Sequence, residues 1–377
     1  MSWPMVSLSS VATINPRCPK DIDENQLVSF VAMASASEEG ILLQEEIRVL
    51  GETKKGFTYF EKEDVLLAKI TPCFENGKSL RPFQISKQVG FGSTEFHVVR
   101  ADEKKLLPQY LFYLLWSNAF RFAGEHAMSG AAGQKRVGTD FLKNLEIPLP
   151  PLDEQKRIAA ILDKADAIRR KRKRAIELAD EFLRSVFLGM FGDPNSTHLD
   201  WKLVTIGALG GNENNKRVPL KQSERDVRDG PYPYFGATGI IDYVDDYIFD
   251  GNYLLIAEDG KNLVNRSKPI AFRASGKFWV NNHSHVIRYT ESVELIYLEY
   301  YLNLKRISKY VTGIDQFKLN KKSLDSIQVH LPPKSLQVKF GNIVRKVLNT
   351  KKCLVESHVE ADSNFQSLSQ KAFSGQL

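Results

Sequence analysis

Along residues 152–190, apolar side chains return at alternating spacings of three and four. Ile158, Ile161, Ala165, Ile168, Ala175, Ala179, Phe182 and Val186 share one phase, which only Arg172 interrupts. This spacing predicts a long amphipathic helix with a heptad seam. Pro150 and Pro151 stop whatever precedes it, Asp153 and Glu154 suit the first helical turn, and "FGDPN" (residues 191–195) ends it. A helix of about 38 residues is about 57 Å long and cannot bury such a stripe alone. Near the end of the chain Phe340, Ile343, Val347, Leu354, Ala361 and Leu368 share a phase of their own. The two stripes are expected to meet as an antiparallel coiled coil. The alternative is that each helix lies on its own globular neighbour.

Elsewhere the pattern is strand-like. "DVLLAKI" (residues 64–70), "EFHVVR" (95–100), "NYLLIAE" (252–258), "KPIAFRA" (268–274) and "SHVIRYT" (284–290) are short runs of branched and aromatic residues, punctuated by Gly, Pro and Asn. Amphipathic helices are expected near residues 108–122 and 295–310. The fold class predicted is α+β.

The pattern occurs twice. A shift of 182 residues lays Gln134 on Gln316, Leu142 on Leu324, Ile147 on Val329, Leu149-Pro150-Pro151 on Leu331-Pro332-Pro333, Gln155 on Gln337 and Phe191 on Phe373. Upstream the offset drifts: "EFHVVR" meets "HSHVIR" at 188, "QYLFYLL" meets "IYLEYYL" at 187, and "WPMVSL" meets "WKLVTI" at 198. The chain therefore reads as a duplication, globular unit then helix, twice. Expected boundaries are 1–151, 152–192, 193–333 and 334–377. Scaffold positions match, while the stretches between them differ in length and composition, which suggests binding modules that read two different things.

Composition then narrows the class. With 42% hydrophobic and 26% charged residues the chain resembles a soluble globular protein. No apolar run approaches the roughly 18 residues of a membrane span, and the first residues lack the pattern of a secretory signal. Three scattered cysteines, Cys18, Cys73 and Cys353, suggest free thiols and a cytoplasmic setting. The net charge of +7 permits a polyanionic partner. Residues 1–151 carry 17 basic and 18 acidic side chains, and 193–333 carry 18 and 17. The excess sits in 152–192, with 10 against 7, and in 334–377, with 7 against 3. Any DNA contact by the globular units would rest on locally placed Lys and Arg, not on a bulk field.

"IPLPPLDEQKRIAAILDKAD" (residues 147–166), "LRSVFLGMFGD" (183–193), "YPYFGATGIIDYVDDYIFDGNYLLIAEDG" (232–260) and "QKAFSGQL" (370–377) resemble the specificity subunits of type I restriction-modification systems. The resemblance covers essentially the whole chain. One departure is "LPPKSLQ", which lacks the Glu of "LPPLDEQ". The resemblance implies two target-recognition domains, each reading one half of a bipartite double-stranded DNA site. It implies helices that set the half-site spacing and dock two adenine-methyltransferase subunits. Added restriction/translocase subunits would complete a nuclease. No catalysis is implied for this chain and no cofactor or metal of its own; S-adenosylmethionine, ATP and Mg would belong to the partners.

Base reading calls for Arg, Lys, Asn and Gln at groove depth, with Ser and Thr assisting. Loop-like segments offer Lys69, Thr71, Asn76, Lys78, Gln134, Lys135 and Arg136 in the first unit. The second offers Thr238, Lys261, Asn262, Asn281, Asn282, Gln316 and Lys318. The run "RRKRKR" (residues 169–174) circles a helix and reads as a solvated belt, with contact to a partner or to phosphates as the alternative. "HSH" (283–285) lacks a completing ligand set for metal, and the match of His285 to His97 favours packing or hydrogen bonding. Two rivals stand beside the resemblance: a coiled-coil adaptor bridging two proteins, and a self-contained DNA methyltransferase. The second would need a glycine-rich cofactor loop and an Asn/Asp-Pro-Pro-aromatic motif, and neither is found. A P-loop is also missing.

Overall fold

The computed structural model describes residues 3–377 apart from positions 82 and 132. The chain forms two compact α+β units, Met1–Lys173 with Glu356–Leu377, and Arg174–Val355.

In the first unit, strands Ala12–Ile14, Phe96–Ala101, Val65–Ala68 and Ser79–Leu80 form one antiparallel sheet in that order. A second sheet orders Glu46–Val49, Leu27–Val31, Val89–Gly92 and Thr58–Glu61, with a parallel pairing between its two middle strands. In the second unit a five-stranded sheet orders Gly239–Val244, Tyr232–Gly236, Ala271–Val280, Phe249–Ala257 and Ser284–Arg288. Each unit also has a two-stranded ribbon that brings its first strand to its last. Val6 pairs with Ile147, and Val204 pairs with Val329, which are the positions the repeat equates.

The expected 108–122 helix is broken in two, Pro108–Trp116 and Asn118–His126. Ser117 turns the chain between them and caps the second helix, its hydroxyl accepting from Phe120 N. The helix of the second unit is Leu295–Leu304, followed by a single 3-10 turn at Ser308–Tyr310. Pro108–Trp116 buries every side chain but Gln109, and Leu295–Leu304 buries six of ten, with Tyr110, Tyr113, Tyr297 and Tyr301 among the buried rings. A buried hydroxyl needs a partner. Tyr110 donates to Pro148 O at 2.9 Å and Tyr297 to His330 O at 2.6 Å, again equivalent positions.

The two long helices are Leu152–Phe191 and Lys334–Phe373. Each begins at a Leu-Pro-Pro joint that a buried glutamine locks. Gln155 Oε1 accepts from Leu107 N at 2.8 Å, and its Nε2 donates to Lys105 O and Pro150 O. Gln337 Oε1 accepts from Glu294 N at 2.9 Å, and its Nε2 donates to Pro332 O. Leu107 and Glu294 are the residues just before the Pro108 and Leu295 helices, so one amide ties each long helix to its unit's own helix. Glu154, in contrast, is half-buried, bonds none of these backbone groups and pairs with Arg157. Its absence from the second joint leaves the lock intact.

Within the first unit the helices run antiparallel. Arg157 Nη2 donates to Leu377 O, Arg169 pairs with Asp362 at 3.2 Å, and Arg172 Nη1 donates to Ser357 O at 2.6 Å. Within the second unit they do the same. Asp180 pairs with Lys351 at 2.6 Å, and the rings of Phe187 and Phe191 meet Phe340 at 5.4 and 5.5 Å. Of the expected seam, Ile158, Ala361 and Phe340 are buried, and Ala165, Val186, Ile343, Val347 and Leu368 pack against the cores. Ile161 and Leu354 are half-buried.

Two positions are corrected. Ile168 and Phe182 are 48% and 52% exposed, while Leu162 and Leu183 are fully buried. At about 100° per residue, companions three and four positions along flank a seam on opposite sides. The globular units cover the four-residue side. Leu162 joins Tyr110 and Phe365, and Leu183 joins Phe187 and Tyr297. Each long helix thus lies on a globular unit as well as on its partner helix.

Arg169–Arg174 are mostly spoken for. Asp166, fully buried, takes Arg81, Arg169 and Arg170. Lys173 pairs with Glu39, and Arg174 with Glu177 and Glu181. The belt is largely an ion-pair network, not simply solvated. Among the described residues no helix is long and apolar enough to cross a membrane.

Candidate nucleic-acid interface

One edge of each unit gathers loops that carry most of the candidate residues. In the first, the turn at residues 69–78 follows strand Val65–Ala68, and the hairpin at 129–136 lies beside it. Thr71 N donates to Lys135 O at 3.0 Å and Val137 N to Lys69 O at 2.9 Å. In the second, residues 258–262 follow strand Phe249–Ala257, beside the hairpin at 312–318. Gly260 N donates to Phe317 O at 3.0 Å and Leu319 N to Glu258 O at 2.7 Å. These bonds are the same pair in two copies: the hairpin donors and acceptors differ by 182 positions.

A buried histidine stands behind each edge. His97 Nε2 donates to Val137 O at 2.8 Å, and its Nδ1 accepts from Asn15 Nδ2 at 3.2 Å. His285 Nε2 donates to Leu319 O at 2.7 Å, and its Nδ1 accepts from Asn214 Nδ2 at 2.7 Å. Asn15 and Asn214 each also accept a strand N–H, from Val98 and Val286. Burial holds both imidazoles below the usual histidine range, so both are neutral brackets that fix the hairpin against the sheet. Among the described residues no cluster of His, Cys, Asp and Glu could hold a metal ion.

The charges around these brackets differ between the copies. In the first, Arg136 makes a two-pronged pair with Glu95, both contacts 2.9 Å. Arg136 in turn holds the Glu95 carboxyl below the ordinary range. Lys69, Lys78 and Lys135 have no ion pair among the described residues, and Gln134 and Lys135 are exposed on the hairpin. Asn76 donates to Glu38 at 2.9 Å and Thr71 to Glu75 at 2.6 Å. In the second copy Glu258 stands where Lys69 stands in the first. It accepts from Arg217 at 2.8 Å and faces Lys318 at 3.5 Å. His283 pairs with Asp259 at 2.6 Å.

Thr238, Lys261, Asn282, Gln316 and Lys318 are exposed at that second edge. Ser284 Oγ donates to Gly236 O at 2.9 Å, which brings the Thr238 turn beside Asn281 and Asn282. Two amides are used internally. Asn281 is 6% exposed and accepts from His283 N. Asn262 closes its own loop, accepting from Lys268 N and donating to Lys268 O.

Sequence reasoning missed Asn15, Asn214, Glu95, Glu258 and Arg217, which shape these edges. Asn15 and Asn214 lie 199 positions apart, close to the 198 of the first-strand match, and that drift was the available signal. Glu95 and Glu258 were passed over because only donors were sought.

Two segments of the chain, residues 2–178 and 198–356, match the family described as the type I restriction modification DNA specificity domain. The chain is 43% identical over 164 residues to the type I restriction enzyme EcoEI specificity subunit of Escherichia coli, covering 43% of this chain and 27% of that protein. It is 40% identical over 157 residues to the EcoAI specificity subunit of Escherichia coli, covering 41% and 26%. The matched stretches thus span only about a quarter of these relatives. The crystal structure of a type I restriction-modification system S subunit from M. genitalium superposes with a TM-score of 0.59 at 18% identity, covering 98% of this chain and 96% of that one, and shows a shared fold. With two copies of the domain across most of its length, each built on the same histidine-braced edge, the chain belongs to the type I restriction modification DNA specificity family.

Proposed function

We propose that this chain is the DNA sequence-specificity subunit of a type I restriction-modification complex and performs no catalysis itself. Residues 1–151 and 193–333 each read one half of a bipartite site in double-stranded DNA. Residues 152–192 and 334–377 set the separation of the halves and dock two methyltransferase subunits. S-adenosylmethionine, ATP and Mg belong to those subunits and to the restriction subunits that join them. The methyltransferase must take its adenine out of the stack, and this chain decides where.

The observation that carries this reading is the paired edge. Two hairpins share one set of root hydrogen bonds and one buried histidine bracket, yet they present different side chains. A scaffold kept twice with altered loops suits two readers of different sequences. Lys69, Thr71, Asn76, Lys78, Gln134, Lys135 and Arg136 are the contacts proposed for the first half-site. Thr238, Lys261, Asn282, Gln316 and Lys318 are those for the second, with Asn262 and Asn281 shaping their loops. Exposed lysines position on phosphates and the amides read base edges.

The test is to map methylated adenines in DNA from cells that express the chain with its methyltransferase subunit, before and after residues 1–151 are exchanged for those of another family member. One half of the motif should change and the other stay. A change in both halves, or methylation without site preference, would overturn the reading.

A further inference from the structure

The two hairpins share a root and carry different sequences between its strands. In the second unit Thr312 and Lys318 exchange two backbone hydrogen bonds of 2.8 Å, and Thr312 Oγ1 donates to Lys318 O at 3.1 Å. Gly313 has φ +89°, and a Cβ there would lie 2.2 Å from Gln316 O, so the tip's shape requires glycine. Phe317 folds back onto the core. Ile314 does not: it is 89% exposed, more than any other large hydrophobic side chain among the described residues. Asp315 and Gln316 beside it are exposed as well.

In the first unit Ser129 and Arg136 exchange the equivalent bonds, at 3.1 and 2.8 Å. The repeat lays Gln134 on Gln316; the first hairpin is one residue longer in sequence, and it carries Ala131 and Ala132 where the second carries Ile314. A lone exposed isoleucine on an ordinary surface needs no explanation. This one sits on a glycine-shaped, core-anchored tip whose glutamine is kept and whose apolar residue is not. The tip rises from the edge that carries Lys261, Asn282 and Lys318. In the major groove the apolar feature among base edges is the C5-methyl of thymine.

We propose that Ile314 reads a thymine, its side chain packing on the C5-methyl in the half-site of the second unit. This rests on the reading of the chain as a specificity subunit. Contact with one methyl is worth about fourfold in an equilibrium.

The complex of the full chain with its methyltransferase subunits would be assayed on duplexes in which each thymine of the mapped site is replaced in turn by deoxyuridine. The wild type should lose about fourfold in methylation rate at one position of the second half-site. Ile314→Ala should lose about as much on the unmodified duplex and lose nothing further at that position. Ile314→Val should stay near the wild type, and all three proteins should share one melting midpoint. The proposal is overturned if the wild type is indifferent to every replacement in that half-site, if the half-site has no thymine on either strand, or if Ile314→Ala keeps the wild-type sensitivity. Loss of all site preference by the wild type would instead overturn the parent reading, and the inference with it.

Discussion

The buried amide of Gln155 bonds three backbone groups, and that of Gln337 two, that would otherwise be unpaired. Truncating Gln155 to Ala strands Leu107 N–H and two carbonyls, and should cost about 2–4 kcal/mol in the first unit. Glu154→Ala, which loses an ion pair with Arg157 and one first-turn carboxylate, should cost less than about 1 kcal/mol in urea denaturation. Equal shifts for the two variants would refute the locking role. The histidine brackets give a pH dependence. Their folded-state pKa is depressed by burial, so below about pH 6.5 the unfolded state binds more protons than the folded one. Stability is therefore fully present above that range and falls as the solution is acidified through it. Glu258, 3.6 Å from His285 Nδ1, opposes that depression without cancelling it. Urea midpoints should drop between about pH 7.5 and pH 5.5, and drop less in a His97→Gln, His285→Gln double variant. An identical pH slope would place the titration elsewhere.

The long helices divide into what repeats along the chain and what their surroundings decide. Their existence and ends were legible because the period repeats for many turns and Pro-Pro joints open both copies. Which flank of the seam is buried was not legible. Ile161-Leu162, Ala175-Ile176 and Phe182-Leu183 offer apolar side chains on both flanks, and periodicity alone cannot choose between neighbours 100° apart. The globular units choose, by covering one flank. Leu162→Ala and Leu183→Ala should each cost about 2–5 kcal/mol, whereas Ile168→Ala and Phe182→Ala should cost less than about 1 kcal/mol. Denaturation midpoints that ranked Phe182 above Leu183 would restore the original seam. The candidate edges were legible where the repeat keeps a fixed offset, as at Gln134 and Gln316. The bracket histidines were legible too, since the match of His285 to His97 favours packing or hydrogen bonding, but their partners were not, because Asn15 and Asn214 reach them across 82 and 71 positions and the offset drifts there.

If the long helices set the separation of two half-sites, then lengthening both must widen it. Four residues inserted between Lys173 and Arg174, and four more between Val355 and Glu356, add about one turn, or about 6 Å, to each helix. Inserting in both keeps the antiparallel partners of each unit in register, so Arg169 still meets Asp362 and Asp180 still meets Lys351. An insertion in one helix alone would set those pairs against each other, and loss of function would then say nothing about spacing. The rise per base pair along one strand is about 3.4 Å, so about one or two base pairs should be added between half-sites whose own sequences are untouched. The readout is the motif of methylated adenines in cells expressing the lengthened chain with its methyltransferase. A motif with both halves intact and the old separation would show that the spacing is set elsewhere than in the length of the helices.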